Sequence, residues 1–105
     1  MIKQPLLQFI STQTDVTASR AIDGTVYHNT TTKPIFVQIT IYFQVGELIY
    51  AYSDNQANPT TIVAYGQNAQ AGAFAAEIVF WVLPGNYYKL TKTGLSIAQY
   101  WIEYS

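Results

Sequence analysis

The stretch Ile35-Phe36-Val37-Gln38-Ile39-Thr40-Ile41-Tyr42-Phe43-Gln44 decides the fold class. In an extended chain, Ile35, Val37, Ile39, Ile41 and Phe43 share one side, while Gln38, Thr40 and Gln44 share the other with Phe36 and Tyr42. This period of two predicts a long half-buried strand, since a helix would scatter the same apolar set around its axis. A shorter run, Thr25 to Asn29, precedes it, and Thr30-Thr31-Thr32-Lys33-Pro34 between them carries turn chemistry. The two runs are therefore expected to form a hairpin, with Pro34 at the strand start, where a missing N–H costs least.

The same pattern continues outward. Leu48, Tyr50 and Tyr52 alternate with Ile49, Ala51 and Ser53, and Asp54-Asn55-Gln56-Ala57-Asn58-Pro59 ends that run. Thr60 to Tyr65 is another β-branched run. The small-residue segment Gly66 to Ala73 reads equally as a loop or as one helical turn. Glu77 to Leu83 is apolar on both faces, as expected of a central strand in a two-layer structure. Pro84-Gly85 suits positions i+1 and i+2 of a type II turn. Tyr87 to Thr91 and Ile97 to Tyr104 complete the set, joined through Lys92-Thr93-Gly94.

Seven to eight short strands with turn signals every ~8–12 residues predict an all-β fold. An antiparallel two-sheet sandwich with jelly-roll or Greek-key-like connections is the first expectation, and a small closed barrel the second. No internal repeat of ~20–50 residues stands out. The length of 105 residues and mass of 11.8 kDa suit a single β-sandwich domain over residues 1–105.

Hydrophobic residues make up 50% of the chain and charged residues only 10%, so it is core-forming, with a surface that is polar without being charged. Ser, Thr, Asn and Gln supply 31 residues, led by 12 Thr and 9 Gln. A surface so poor in charge is weakly defended against association. The net charge is -1 and the five basic residues (Lys3, Arg20, Lys33, Lys89, Lys92) are scattered, so no nucleic-acid partner is expected. Met1 to Gln8 shows no signal-peptide pattern, and the longest apolar run, Ile78 to Leu83, is far short of a membrane-spanning helix, so no membrane insertion is expected. The reading is of a chain made in the cytoplasm.

Candidate chemistry is sparse. With Cys 0, thiolate nucleophiles, disulfides and cysteine-based zinc sites are excluded. His28 is the sole histidine, and the six acids (Asp15, Asp23, Glu47, Asp54, Glu77, Glu103) are singly dispersed, which points to no metal site. No G-x-S-x-G and no phosphate-cradling glycine loop occurs. No catalytic residue, cofactor or enzymatic function is expected.

Nine Tyr, five Phe and two Trp exceed what a core of this size needs. Tyr50, Tyr52, Tyr65, Tyr87 and Tyr88 are expected to cap the sandwich ends and pack cross-strand. A subunit interface is the second reading of the aromatic excess, and a carbohydrate platform the third. Any recognition is expected in the Asp54–Pro59 loop, where Asp54, Asn55, Gln56 and Asn58 concentrate hydrogen-bonding groups beside Tyr52. An ordinary exposed turn would have the same composition. The small residues Ala69, Ala71, Gly72 and Ala73 are candidates for close approach between chains.

Three stretches carry a family resemblance. Ser19-Arg20-Ala21, Thr25-Val26-Tyr27-His28-Asn29-Thr30-Thr31 and Lys33-Pro34-Ile35-Phe36-Val37 together resemble the opening of small β-sandwich virion proteins of tailed bacteriophages. Val82-Leu83-Pro84-Gly85-Asn86-Tyr87-Tyr88-Lys89-Leu90 resembles their central turn, and Trp101-Ile102-Glu103-Tyr104 their closing strand. Thr32 stands where that pattern often has glycine, and Leu83 where it has a first proline. The resemblance implies a non-enzymatic virion structural protein of a tail fibre, tail tip or capsid decoration, in contact with other virion proteins. It implies no catalytic residues. Assembly as a homo-oligomer is expected, a trimer first and a dimer second. The rival expectation is a carbohydrate-binding module that recognises a bacterial host surface glycan.

Overall fold

The computed structural model describes residues 12–105. It contains eight strands: β1 (Gln13–Asp15), β2 (Tyr27–His28), β3 (Ile35–Phe43), β4 (Leu48–Asp54), β5 (Ile62–Gln67), β6 (Phe74–Val82), β7 (Tyr87–Lys92) and β8 (Ile97–Tyr104). Its helical element among the described residues is one 3-10 turn, Thr17–Ser19. The expectation about Met1 to Gln8 lies outside the described residues.

The strands form two antiparallel four-stranded sheets, ordered β1-β8-β3-β6 and β2-β7-β4-β5. Thus β1 pairs with β8, β2 with β7, β3 with β6 and β4 with β5. Only the β4–β5 connection stays within one sheet. All others cross from sheet to sheet, as in a long hairpin wound around itself, which is the jelly roll. The two-sheet reading is therefore met, with the strand order now defined.

Alternation builds the core between the sheets. Val37, Ile39, Ile41 and Phe43 of β3 point inward with Ile78, Phe80 and Val82 of β6 and Trp101 of β8. The facing sheet contributes Ile49 and Ala51 of β4 and Tyr88 and Leu90 of β7. Such β-branched and aromatic side chains on two inner faces form the apolar layer that holds a sandwich.

Three expectations are corrected. First, β2 and β3 are not a hairpin but lie in different sheets. The turn chemistry is real, yet Asn29 directs it: its Oδ1 accepts from Thr31 N (3.0 Å), while its Nδ2 donates to Lys33 O (2.8 Å) and to Val82 O at the end of β6 (3.0 Å). That clamp turns the chain across the sandwich. Second, β6 is an edge strand, so Val79, Trp81 and Leu83 face outward with no second layer of this chain upon them.

Third, the chain does contain an internal repeat, displaced by 39 residues (74 − 35 and 82 − 43). The 39-residue shift carries β3 onto β6, and the pair Leu48–Gln67 becomes Tyr87–His28. The β3–β6 ladder is centred on Ile39 opposite Ile78, which are equivalent positions, so a pseudo-twofold axis passes between them.

Strand ends also differ in detail. β5 starts at Ile62 rather than Thr60, because Asp54 Oδ2 holds the N–H groups of Thr60 and Thr61 in the preceding loop. The small-residue segment is a sheet-crossing loop, in which Asn68 Oδ1 accepts from Gln70 N and Nδ2 donates to Gly72 O. The expected type II turn is present: Gly85 has φ +81° and Asn86 N donates to Leu83 O (3.0 Å).

Candidate interaction surfaces

Polar groups in the interior are spent on structure. Glu103, inward on β8, is buried and accepts from the Tyr88 hydroxyl and from Arg20 Nη2 (3.3 Å). Arg20 Nε also reaches the Tyr88 hydroxyl (3.1 Å), and its guanidinium lies 4.6 Å from the Tyr27 ring centroid. Burial, with the Glu103 carboxylate beside it, pushes the Tyr88 phenol well above its ordinary range. For Arg20, burial disfavours the charge, but Tyr88 and Glu103 outweigh it and raise the pKa.

At the other end of the sandwich Glu47 accepts from Leu95 N, Ser96 N and the Ser96 hydroxyl. Burial opposes its ionisation, yet these donors hold its carboxyl below the usual glutamate range. A Cβ on Gly94 would overlap the Glu47 carboxylate, so this turn requires glycine. The indole N–H of buried Trp101 has no hydrogen-bond partner among the described residues.

The concave surface offers little chemistry. An open depression of about 320 Å³ is lined by Ile22, Asp23, Thr91, Lys92, Thr93 and Gly94. Its charges are committed locally, Asp23 accepting from Thr25 N (3.0 Å) and Lys92 donating to Ser96 O (2.9 Å). No group of three or more potential metal-ligating His, Asp or Glu occurs among the described residues. Nor is any helix among them long and apolar enough to cross a membrane.

The two outer sheet faces are richer. On the β1-β8-β3-β6 sheet, Tyr104, Phe36 and Trp81 stand in one row across three strands. Phe36 lies 4.9 Å from Trp81 and 6.1 Å from Tyr104 between ring centroids. Beyond this row Val79, Ile97 and Tyr100 are exposed by 44%, 55% and 60%. The polar groups among them bond one another: Tyr104 hydroxyl donates to Gln38 Oε1 (2.9 Å) and Gln38 Nε2 to Glu77 Oε2 (3.2 Å).

On the β2-β7-β4-β5 sheet, the tyrosines expected at the sandwich ends instead line the outer face, except Tyr88, which lies in the core. Tyr50 is opposite Tyr65 on β5, and Tyr52 is opposite Lys89 on β7. His28 is stacked on Tyr87 at 3.9 Å. The position of His28 on a strand surface could be read from the alternation, but its partner on β7 could not.

Of the candidate recognition residues, Asp54 serves the loop itself, accepting from Gln56 N (2.9 Å), Thr60 N (2.9 Å) and Thr61 N (3.0 Å). Those backbone donors lower its pKa to about 2. Asn58 and Tyr52 come together on Lys89, whose Nζ donates to Asn58 Oδ1 (2.8 Å) and lies 5.2 Å from the Tyr52 ring centroid. Asn55 and Gln56 are exposed at the loop tip. Gly72 has open space around its Cα.

No protein-family model, curated protein or solved structure matches the chain.

Proposed function

We propose that the chain is a non-enzymatic structural module of a tailed-bacteriophage virion, in a tail fibre, tail tip or capsid decoration, that assembles with copies of itself. The observation that carries the assembly reading is the outer face of the β1-β8-β3-β6 sheet. Its Tyr104-Phe36-Trp81 row is extended by Val79, Ile97 and Tyr100, and its polar members are already bonded to one another. Such a face gains by burial and leaves few polar groups to desolvate. The low charge removes the electrostatic barrier to like-with-like contact. The virion setting is supported by the sequence resemblance at Thr25–Thr31, Val82–Leu90 and Trp101–Tyr104.

Light scattering at micromolar concentration tests assembly. A trimer is expected, with a dimer as the second outcome consistent with the proposal. Trp81→Glu with Tyr100→Glu is expected to give a folded monomer. A wild-type monomer overturns the assembly reading. Gold-labelled antibody on the parent particle tests the virion setting, and particles without label overturn it.

A further inference from the structure

The outer face of the β2-β7-β4-β5 sheet differs in kind from the assembly face. Tyr50 and Tyr52 project from alternate positions of β4, and Tyr65 stands beside Tyr50 on β5. Ring centroids are 6.2 Å apart for both Tyr50–Tyr52 and Tyr50–Tyr65, with interplanar angles of 49° and 37°. The rings are tilted, not stacked, so neighbours do not cover one another's faces. Tyr65 is 66% exposed. The hydroxyls of these three tyrosines have no hydrogen-bond partner among the described residues. Polar groups adjoin the rings, since Lys89 Nζ sits over Tyr52 and is held there by Asn58 Oδ1.

A protein partner would have to desolvate every one of those unspent phenols. A pyranose ring would use them, because its C–H face stacks on an aromatic ring while its equatorial hydroxyls bond at the edge. The charge count narrows the ligand: Lys89 is the single cation on this platform, Asp54 beside it is committed to backbone N–H groups, and the chain's net charge is -1. Little here would draw in a polyanion. We propose that Tyr50, Tyr52 and Tyr65, with Lys89 and Asn58 at their edge, form a binding platform for a chain of neutral pyranose rings. The platform lies on the opposite sheet from the assembly face and does not depend on that reading.

Native gels cast with dextran, laminarin, xylan or galactomannan, and with polygalacturonate as the anionic arm, test it on the full chain. Retardation by at least one neutral polymer is expected. Tyr52→Ala and Tyr65→Ser are each expected to weaken it on the order of two- to tenfold, the scale of one aromatic contact. Trp81→Ala, on the other sheet, is expected to leave it unchanged. Tyr65 is so exposed that Tyr65→Ser keeps the test decisive even if Tyr52→Ala unfolds the chain. Three outcomes overturn the proposal: no retardation in any neutral polymer, retardation in polygalacturonate alone, or retardation indifferent to both tyrosine substitutions.

Discussion

Asn29 and Asn68, 39 residues apart, make the same set of hydrogen bonds at opposite ends of the β3–β6 pair. Each accepts at Oδ1 from the N–H two residues on, and each donates from Nδ2 to the carbonyl four residues on. The second Nδ2 bond of Asn29 goes to Val82 O, the last residue of β6, and that of Asn68 to Phe43 O, the last of β3. Each asparagine also faces a glycine turn with positive φ, Gly85 accepted at Asn29 O and Gly46 at Asn68 O. The asparagines thus lock the two sheet crossings related by the pseudo-twofold axis.

Replacing either asparagine by Ala strands buried carbonyl and N–H groups, so Asn29→Ala and Asn68→Ala are each expected to cost ~1–3 kcal/mol. The sites sit at opposite ends of nine-residue strands, roughly 26 Å apart at ~3.3 Å per residue. The double variant should therefore lose the sum of the two within ~0.5 kcal/mol. Urea melts of the three variants check this. A double variant no worse than either single would show that the crossings are not independent locks.

The Glu47 shell predicts a steric effect at a distance in sequence. In Gly94→Ala the new methyl meets a carboxylate that three donors hold in place, and the cost is expected to be ~1–3 kcal/mol. Combining it with Glu47→Ala, which removes the overlapped group, should make the glycine substitution nearly neutral. A double-mutant cycle by thermal melts measures that coupling.

The dependence of stability on pH follows from the shifted groups. Glu47, Asp15, Asp23 and Asp54 all lie below their ordinary values, Asp54 falling from 3.8 to about 2. Between the ordinary and folded values the unfolded chain binds more protons, so this stabilisation is present above about pH 5 and is lost as pH falls toward 2. Tyr88 shifts the other way: its raised pKa favours the fold below about pH 10, and that contribution is lost as pH rises further. Melting temperatures from pH 2 to 11 should fall at both ends. Glu47→Gln should flatten the acid limb, and Tyr88→Phe the alkaline one.

Faces were legible in the sequence, but partners were not. The alternation at Ile35–Phe43 and at Ile78–Val82 correctly separates inward from outward residues. It carries no information on which strand lies beside which. Hence the β2–β3 crossing was hidden, since it depends on Asn29 reaching Val82 O, 53 residues away. The repeat was hidden because over Tyr27–Ser53 and Gly66–Lys92 the identical pairs are Asn29/Asn68, Ile39/Ile78 and Gly46/Gly85 alone. Alternation needs only apolar character at the remaining inward positions, so Val37 and Ala76, or Ile41 and Phe80, occupy equivalent places with different residues. Of the loop candidates, composition marked Asp54 as a ligand-facing acid. Its oxygens turn inward because Gln56, Thr60 and Thr61 offer backbone donors within reach.

The edge position of β6 gives the sharpest contrast between neighbouring residues. Phe80 is 5% exposed and packs edge-on to Tyr88 at 5.7 Å in the core, whereas Trp81 is 43% exposed and touches Phe36 on the outer face. Phe80→Ala leaves a cavity and is expected to cost ~3–5 kcal/mol. Trp81→Ala removes one surface aromatic contact, which is worth about 1 kcal/mol or less in the protomer. Against a total stability of ~5–15 kcal/mol, the first change should lower the melting temperature severely and the second only slightly. In the assembled protein the order of effects on association reverses, because Trp81 lies on the face proposed to meet another copy. Melts at low concentration, paired with light scattering at high concentration, separate the two. If Trp81→Ala cost as much as Phe80→Ala in the dilute monomer, β6 would not be an edge strand of the isolated fold.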